Sequence, residues 1–296
     1  MNIVVCKLPR AGLGNQLFPL MKAYVFAHLN GNTVLVINSR QIRIGAYIRG
    51  EKSKRKYSGY FNFQKSFLKE LNNWRRITFS KSIIIHEPKL ERLLSSDLNK
   101  SYLFDSVPNW NNYFEQLKDH RHLVKNLLFN LLRNDVKVEL ENLQAPVIGI
   151  HIRMGDFRKL KENEIFSEVG AVRTPVDYFI TIIRSIRAMN GHQLPVSVFT
   201  DGFRHELSRL FELENIVLIE GNRDITDLLL LSKSKIIITS AGSTFSYWAG
   251  FLSDVPIIMH PDHIHEPLRS NKESELYEGM FDPNNPELIE YIRNIQ

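Results

Sequence analysis

The stretch Val147-Ile148-Gly149-Ile150-His151-Ile152-Arg153 constrains the fold of this 296-residue chain more than any other. Its apolar run is short, and Pro146 ahead of it suits a strand start, where a missing N–H costs least. Read with period two, Ile148, Ile150 and Ile152 share one face while Gly149, His151 and Arg153 share the other. Further strands follow at 195–200, 216–220, 236–239 and 256–260. Helices opening near Thr174-Pro175, read as an N-cap and N1 pair, over 224–231 and at Asn285-Pro286 separate or follow them. Alternation of this kind predicts an α/β fold with a parallel sheet covered on both faces.

The first half opens the same way. A strand over 2–8 runs into a glycine loop, then a helix to the C-cap pair Asn30-Gly31, then a strand over 33–38. Leu17, Leu20, Met21, Tyr24 and Ala27 give that helix an apolar face. Strand, helix, strand predicts a right-handed parallel crossover. Residues 90–132 read as helical with interruptions, 108–112 as a loop, and the polar segment 136–144 as a linker. The expected division is 1–142 and 143–296, two Rossmann-like domains facing across a cleft.

Open α/β sheets bind ligands at the carboxyl ends of their strands. Arg153 stands at one such end and offers five fixed donors and a permanent charge to a phosphate or carboxylate. An ion pair with Asp156 that merely caps the strand is the other reading, and the residues leave both open. Asp201 ends the next strand. At a third strand end, Ser243 and Thr244 open a helix whose free N–H groups would hold a phosphate, unless those hydroxyls simply cap it. In the glycine loop, Gly12 and Gly14 allow close backbone approach and the Asn15 and Gln16 amides sit at a helix start. The third glycine of a dinucleotide fingerprint is replaced by Leu17.

No phosphate-binding Gly-x-x-x-x-Gly-Lys-Ser/Thr loop occurs, which argues against an NTPase. No Asp-x-Asp pair is present to hold a metal on a diphosphate. His260, His263 and His265, with Asp262 between, have metal-like spacing but no element to converge them, so a solvated loop is the expectation. Basic residues exceed acidic ones, for a net charge of +6, which favours anionic partners. The excess concentrates in the basic run 40–56, read as a solvated loop or as a contact with an anionic lipid-linked acceptor or membrane surface. Gly59-Tyr60-Phe61 begins an aromatic stretch that suits either a sugar or a core. The single cysteine, Cys6, lies in an apolar run and reads as a buried inert thiol. With no signal segment or spanning run, the expected location is cytoplasmic, with peripheral contact at the inner face of the membrane as an option.

Four motifs occur in one order: Gly12-Leu13-Gly14-Asn15-Gln16-Leu17-Phe18, Gly59-Tyr60-Phe61, His151-x-Arg153-x-x-Asp156-Phe157, and Ser243-Thr244-Phe245-Ser246-Tyr247-Trp248. Together they resemble the α-1,2-fucosyltransferases of bacterial surface-polysaccharide clusters and their blood-group relatives. The resemblance implies a GT-B type fold with an acceptor-side first domain and a nucleotide-sugar-binding second domain. It implies GDP-fucose as donor, a glycan or lipid-linked oligosaccharide as acceptor, no metal or other cofactor, no nucleic-acid partner, and inversion at the fucose anomeric carbon. Arg153 would then grip the donor β-phosphate, with His151 and Asp156 lining the pocket. Ser243, Thr244 and Phe245 would touch phosphate and sugar, and Gly14, Asn15 and Gln16 would close over them. Asp156 would serve as general base or as the orienter of Arg153, and Asp201 would contact ribose or guanine. The chain departs from the family where Met154 replaces a second arginine and Gly242 an asparagine. The first departure keeps a transferase for another nucleotide sugar in play, and the basic balance keeps a non-catalytic polyanion binder as a third reading.

Overall fold

The computed structural model describes residues 3–39, 41, 47–48, 50, 57–63, 83–93, 100–263, 266–270 and 276–296. The basic run 40–56 lies almost wholly outside them, as do residues 64–67 of the aromatic stretch and His265. The chain divides into two compact units, with the change between Val138 and Glu139.

The first unit holds a parallel four-stranded sheet in the order β2-β1-β4-β3, formed by β1 (Ile3–Lys7), β2 (Val34–Ile37), β3 (Ile83–His86) and β4 (Lys100–Phe104). Helix α1 (Leu13–Leu29) connects β1 to β2 as the crossover predicted. Its burial is not confined to one face: Lys22, Ala23, Val25 and Phe26 are buried along with Leu17, Leu20 and Met21. A helix apolar all round belongs inside a domain. Here α1 lies against β1, β2 and β4 and against α2 (Arg121–Leu131), and Phe18 packs on Tyr113 and Phe114. Strand β4 corrects the helical reading of 90–132, because Tyr102 and Phe104 alternate into the core. The expected linker at 136–144 is largely helix α3 (Asn134–Glu141), seated by Val136 and Leu140, four residues apart and both buried. Tyr60 and Phe61 are core: both are buried, and Phe61 bridges Leu132.

The second unit holds a parallel six-stranded sheet in the order β10-β9-β8-β5-β6-β7. Its strands are β5 (Ile148–Ile152), β6 (Val196–Thr200), β7 (Ile216–Leu218), β8 (Ile236–Ile238), β9 (Ile257–Met259) and β10 (Glu278–Met280). The helices are α4 (Val176–Asn190), α5 (Asp224–Leu231), α6 (Thr244–Leu252) and α7 (Pro286–Arg293). Period two holds in β5. Ile148, Ile150 and Ile152 are fully buried in the cluster that α4 and α7 complete, each contributing roughly 1.5–3 kcal/mol. Gly149 faces the end of α5, where a Cβ would fall 2.7 Å from Leu231 Cδ1 and 2.1 Å from Ser234 Oγ. The unit is therefore doubly wound. Strand β10 went unread because Glu278-Gly279-Met280 carries no apolar pattern; the buried Arg269 holds Glu278 in place beside β9.

The order of strands sets the place for a ligand. From β5 the chain proceeds through β6 to β7, then returns to add β8 on the other side of β5. The direction of winding reverses between β5 and β8, and crevices form at the carboxyl ends flanking such a reversal.

Candidate active site

The side chains gathered at that reversal come from the ends of β5, β6 and β8. Ser240, fully buried after β8, donates its hydroxyl to the His151 carbonyl at 2.8 Å and accepts the Arg153 N–H at 2.9 Å. Ser240 thus stitches the two strand ends together and fixes where Arg153 leaves the sheet. Across the other neighbour, Asp201 accepts the N–H groups of Met154 at 2.8 Å and Gly155 at 3.1 Å on one oxygen, and pairs with Arg153 through the second. The Arg153 guanidinium also donates to Asp156 at 2.5 Å and lies 5.4 Å from the centre of the Phe157 ring. Its side chain is 19% exposed, Asp201's 14% and Asp156's 38%. The strand-end pair with Asp156 is therefore real, but it is the outer half of a carboxylate–guanidinium–carboxylate arrangement in which Asp201 is the inner anchor.

His151 is buried, with its ring stacked on Phe245 at 4.6 Å and its Nδ1 3.4 Å from the Ser243 hydroxyl. Burial drives its pKa down from 6.5 to about 3; Arg153 pushes the same way and Asp201 opposes. The imidazole is neutral at physiological pH. Ser243 occupies the N-cap of α6 but makes no side-chain cap bond. The first amides of α6, at Thr244, Phe245 and Ser246, are those an α-helix leaves without intrahelical partners. Thr244 and Phe245 are half-buried there.

Several expectations change. Asp201 does not present a free carboxylate to ribose or guanine, because both oxygens are engaged by the β5 turn. Gln16 does not expose its amide: it is buried, its side chain donates to Pro9 O and Ala11 O, and its backbone N–H donates to Gly12 O. Gly12 is the N-cap of α1, Gly14 is buried just inside the helix, and Asn15 holds a buried Oδ1 with no hydrogen-bond partner. Met154 points into the core at 5% exposure, so the place of the family's second arginine faces Gly202 and the apolar cluster. Gly242 has φ +66°; asparagine and glycine are the residues that enter that region readily, so this departure preserves the turn. Thr174 is not the helix cap expected, since Pro175 takes that position and Thr174 Oγ1 accepts the Ala241 N–H. His260 and His263 pack among Phe166 and Tyr178, and no three His, Cys, Asp or Glu side chains among the described residues converge as a metal site. Ser240, Thr174 and Tyr247 were missed as contributors: Tyr247 lies inside the fourth motif with no role assigned to it, and Ser240 and Thr174 were marked only by their positions beside strand and helix ends.

The glycosyl transferase family 11 matches residues 8–274. The chain belongs to that family. The enzyme is one of glycosyl transfer. The fold is shared with the crystal structure of NodZ α-1,6-fucosyltransferase soaked with GDP-fucose (17% identity, TM-score 0.53, 87% of this chain and 94% of that one). Fucosyltransferase NodZ from Bradyrhizobium matches similarly, at 16% identity and TM-score 0.53 over 90% of this chain and 99% of that one. The α/β architecture with two parallel sheets is thus the GT-B type expected. No curated protein sequence is similar enough to match. No helix among the described residues is long and apolar enough to cross a membrane.

Proposed function

We propose that the chain transfers fucose from GDP-fucose, with inversion, to a hydroxyl of a glycan or lipid-linked oligosaccharide, forming an α-1,2 linkage. One observation carries the reading: a guanidinium locked at the β5–β8 reversal, next to the start of a helix whose N-cap hydroxyl is turned away from capping. A departing GDP develops charge on its β-phosphate. Arg153 and the amides of Thr244 and Phe245 would take up that charge, each well-placed donor worth roughly 2.7–4 kcal/mol in the transition state. The acceptor hydroxyl would attack the anomeric carbon from the face opposite the diphosphate.

Asp156 is assigned to orienting Arg153, because its oxygen is already bound to the guanidinium and its exposure lets it yield when a phosphate arrives. His151 and Phe245 would form the wall beside the sugar. GDP-fucose as donor draws support from the NodZ crystals soaked with that compound. The α-1,2 linkage rests on the four motifs, since NodZ itself is an α-1,6 enzyme. The basic run 40–56 would suit a lipid-linked acceptor at the inner face of the membrane, and on that reading the enzyme would work in the cytoplasm.

Thermal shift with GDP, GDP-fucose, GDP-mannose and UDP-sugars tests the donor, and mass spectrometry of products from a glycan panel tests the transfer. Stabilisation by GDP and GDP-fucose, with a deoxyhexose added to an acceptor, is expected. Stabilisation by UDP-sugars alone would replace the donor, and response to heparin alone would sink transfer altogether.

A further inference from the structure

Two hydroxyls, that of Thr174 and that of Tyr247 in the fourth motif, sort the amides of the turn between β8 and α6. The Ala241 N–H donates to Thr174 Oγ1 at 2.9 Å, and the Gly242 N–H to Tyr247 Oη at 2.8 Å. The Ser243 N–H donates to Ser240 O at 3.3 Å. Thr174 is 2% exposed and Tyr247 fully buried. The amides of the turn are therefore consumed inside the protein, while the helix amides just beyond it are left for a ligand. The partition has a reason. Gly242 sits at φ +66° with open space around it, the nearest atom to a Cβ there being Phe157 Cε2 at 4.0 Å. Glycine is the residue most free to rotate, and no side chain of its own restrains this peptide. The restraint has to come from outside, from Thr174 ahead of α4 and from Tyr247 in the first turn of α6.

We propose that Thr174 and Tyr247 are positioning residues for the donor diphosphate, holding the 241–242 peptides so that the Thr244 and Phe245 amides meet the phosphate. The inference rests on the diphosphate reading given above. Without either hydroxyl, a buried N–H loses its acceptor and the glycine peptide turns to seek another. Ser243 and the amides behind it then lose their register toward Arg153.

Tyr247→Phe and Thr174→Val each delete the hydroxyl acceptor at nearly constant volume, and Thr174→Ser keeps it. Calorimetric titration with GDP and with GMP, alongside thermal unfolding, reads the effect. GDP affinity is expected to fall about ten-fold in Tyr247→Phe and in Thr174→Val while GMP affinity changes much less. Thr174→Ser is expected to match the unsubstituted protein, and the Ala241 and Gly242 amides should exchange hydrogen faster in the impaired variants. An unchanged ratio of GDP to GMP affinity with only a lowered melting temperature would overturn the clamp and leave the diphosphate reading standing. So would a Thr174→Ser protein as impaired as Thr174→Val. Failure of the unsubstituted protein to bind either nucleotide would overturn both.

Discussion

Substituting Gly155 with alanine would place a methyl carbon 2.2 Å from Asp201 Oδ2 and 3.0 Å from its Cγ. Ordinary contact begins at about 3.5 Å, so the carboxylate has to leave. With it go the bonds from the Met154 and Gly155 amides and the pair with Arg153. Hydrogen bonds to a charged group contribute roughly 1.5–3 kcal/mol each, so the two amide bonds alone amount to about 3–6 kcal/mol. Asp201 is 14% exposed and recovers part of this from water, which leaves a net loss near the lower figure, about 3 kcal/mol. In a domain of this size that lowers the melting temperature by roughly 6–12 °C. If the same contacts aim Arg153 at a diphosphate, GDP affinity falls by roughly two orders of magnitude. Differential scanning calorimetry and GDP titration on Gly155→Ala read both. A variant that melts within about 1 °C of the unsubstituted protein and binds GDP within two-fold would refute the assignment of Asp201 as the inner anchor.

Other perturbations separate the remaining roles. Because burial lowers the folded pKa of His151 to about 3, its neutral form costs nothing above pH 6.5. As pH falls below that, the unfolded chain takes up a proton that the folded one refuses. Stability should then drop by about 1.4 kcal/mol per pH unit from this group. Urea unfolding between pH 7 and 5 should show a shallower acid loss in His151→Gln, and identical slopes would contradict the burial argument. Asp156→Asn should raise the donor KM a few-fold and keep kcat within about ten-fold with the same pH profile; a general base would instead lose 10²–10⁴-fold in rate. In the first unit, buried Lys22 pairs with Glu87, whose backbone sits at φ +45° and whose carboxylate also accepts from Asp105 and Ser106. Burial pushes the Glu87 carboxyl up, but Lys22 and those amides outweigh it and hold it below the usual range. Lys22→Met should lower stability by roughly 3–5 kcal/mol, largely restored by adding Glu87→Gln. If the double variant is no more stable than the single one in urea, the stranded-charge explanation fails.

Most of the second unit was legible because its central strands are short and apolar, and β5, β6, β8 and β9 each run into a polar residue at the sheet edge. Helix α5 falls on the residues expected, and Asn285 caps α7 with its side chain as the Asn-Pro pair suggested. The first unit was harder. The Tyr102 and Phe104 strand sits in a stretch whose later residues are helical, so the helical period was extended too far upstream. Arg153 and its rival pairing with Asp156 were both readable, since they share one turn. Asp201 could be placed at a strand end but its direction could not, because its partners are backbone amides 46 and 47 residues away. Ser243 and Thr174 looked like helix caps because their local sequence is that of caps. Tertiary partners, His151 for one and the Ala241 amide for the other, outcompeted the local bonds.

A crystal structure of the complex with GDP tests the central claim most directly. The β-phosphate is expected within hydrogen-bond distance of the Arg153 guanidinium and of the Thr244 and Phe245 amides, with Asp201 still holding the Met154 and Gly155 amides. GDP seated elsewhere, or bound with Arg153 still turned wholly to its carboxylates, would contradict it.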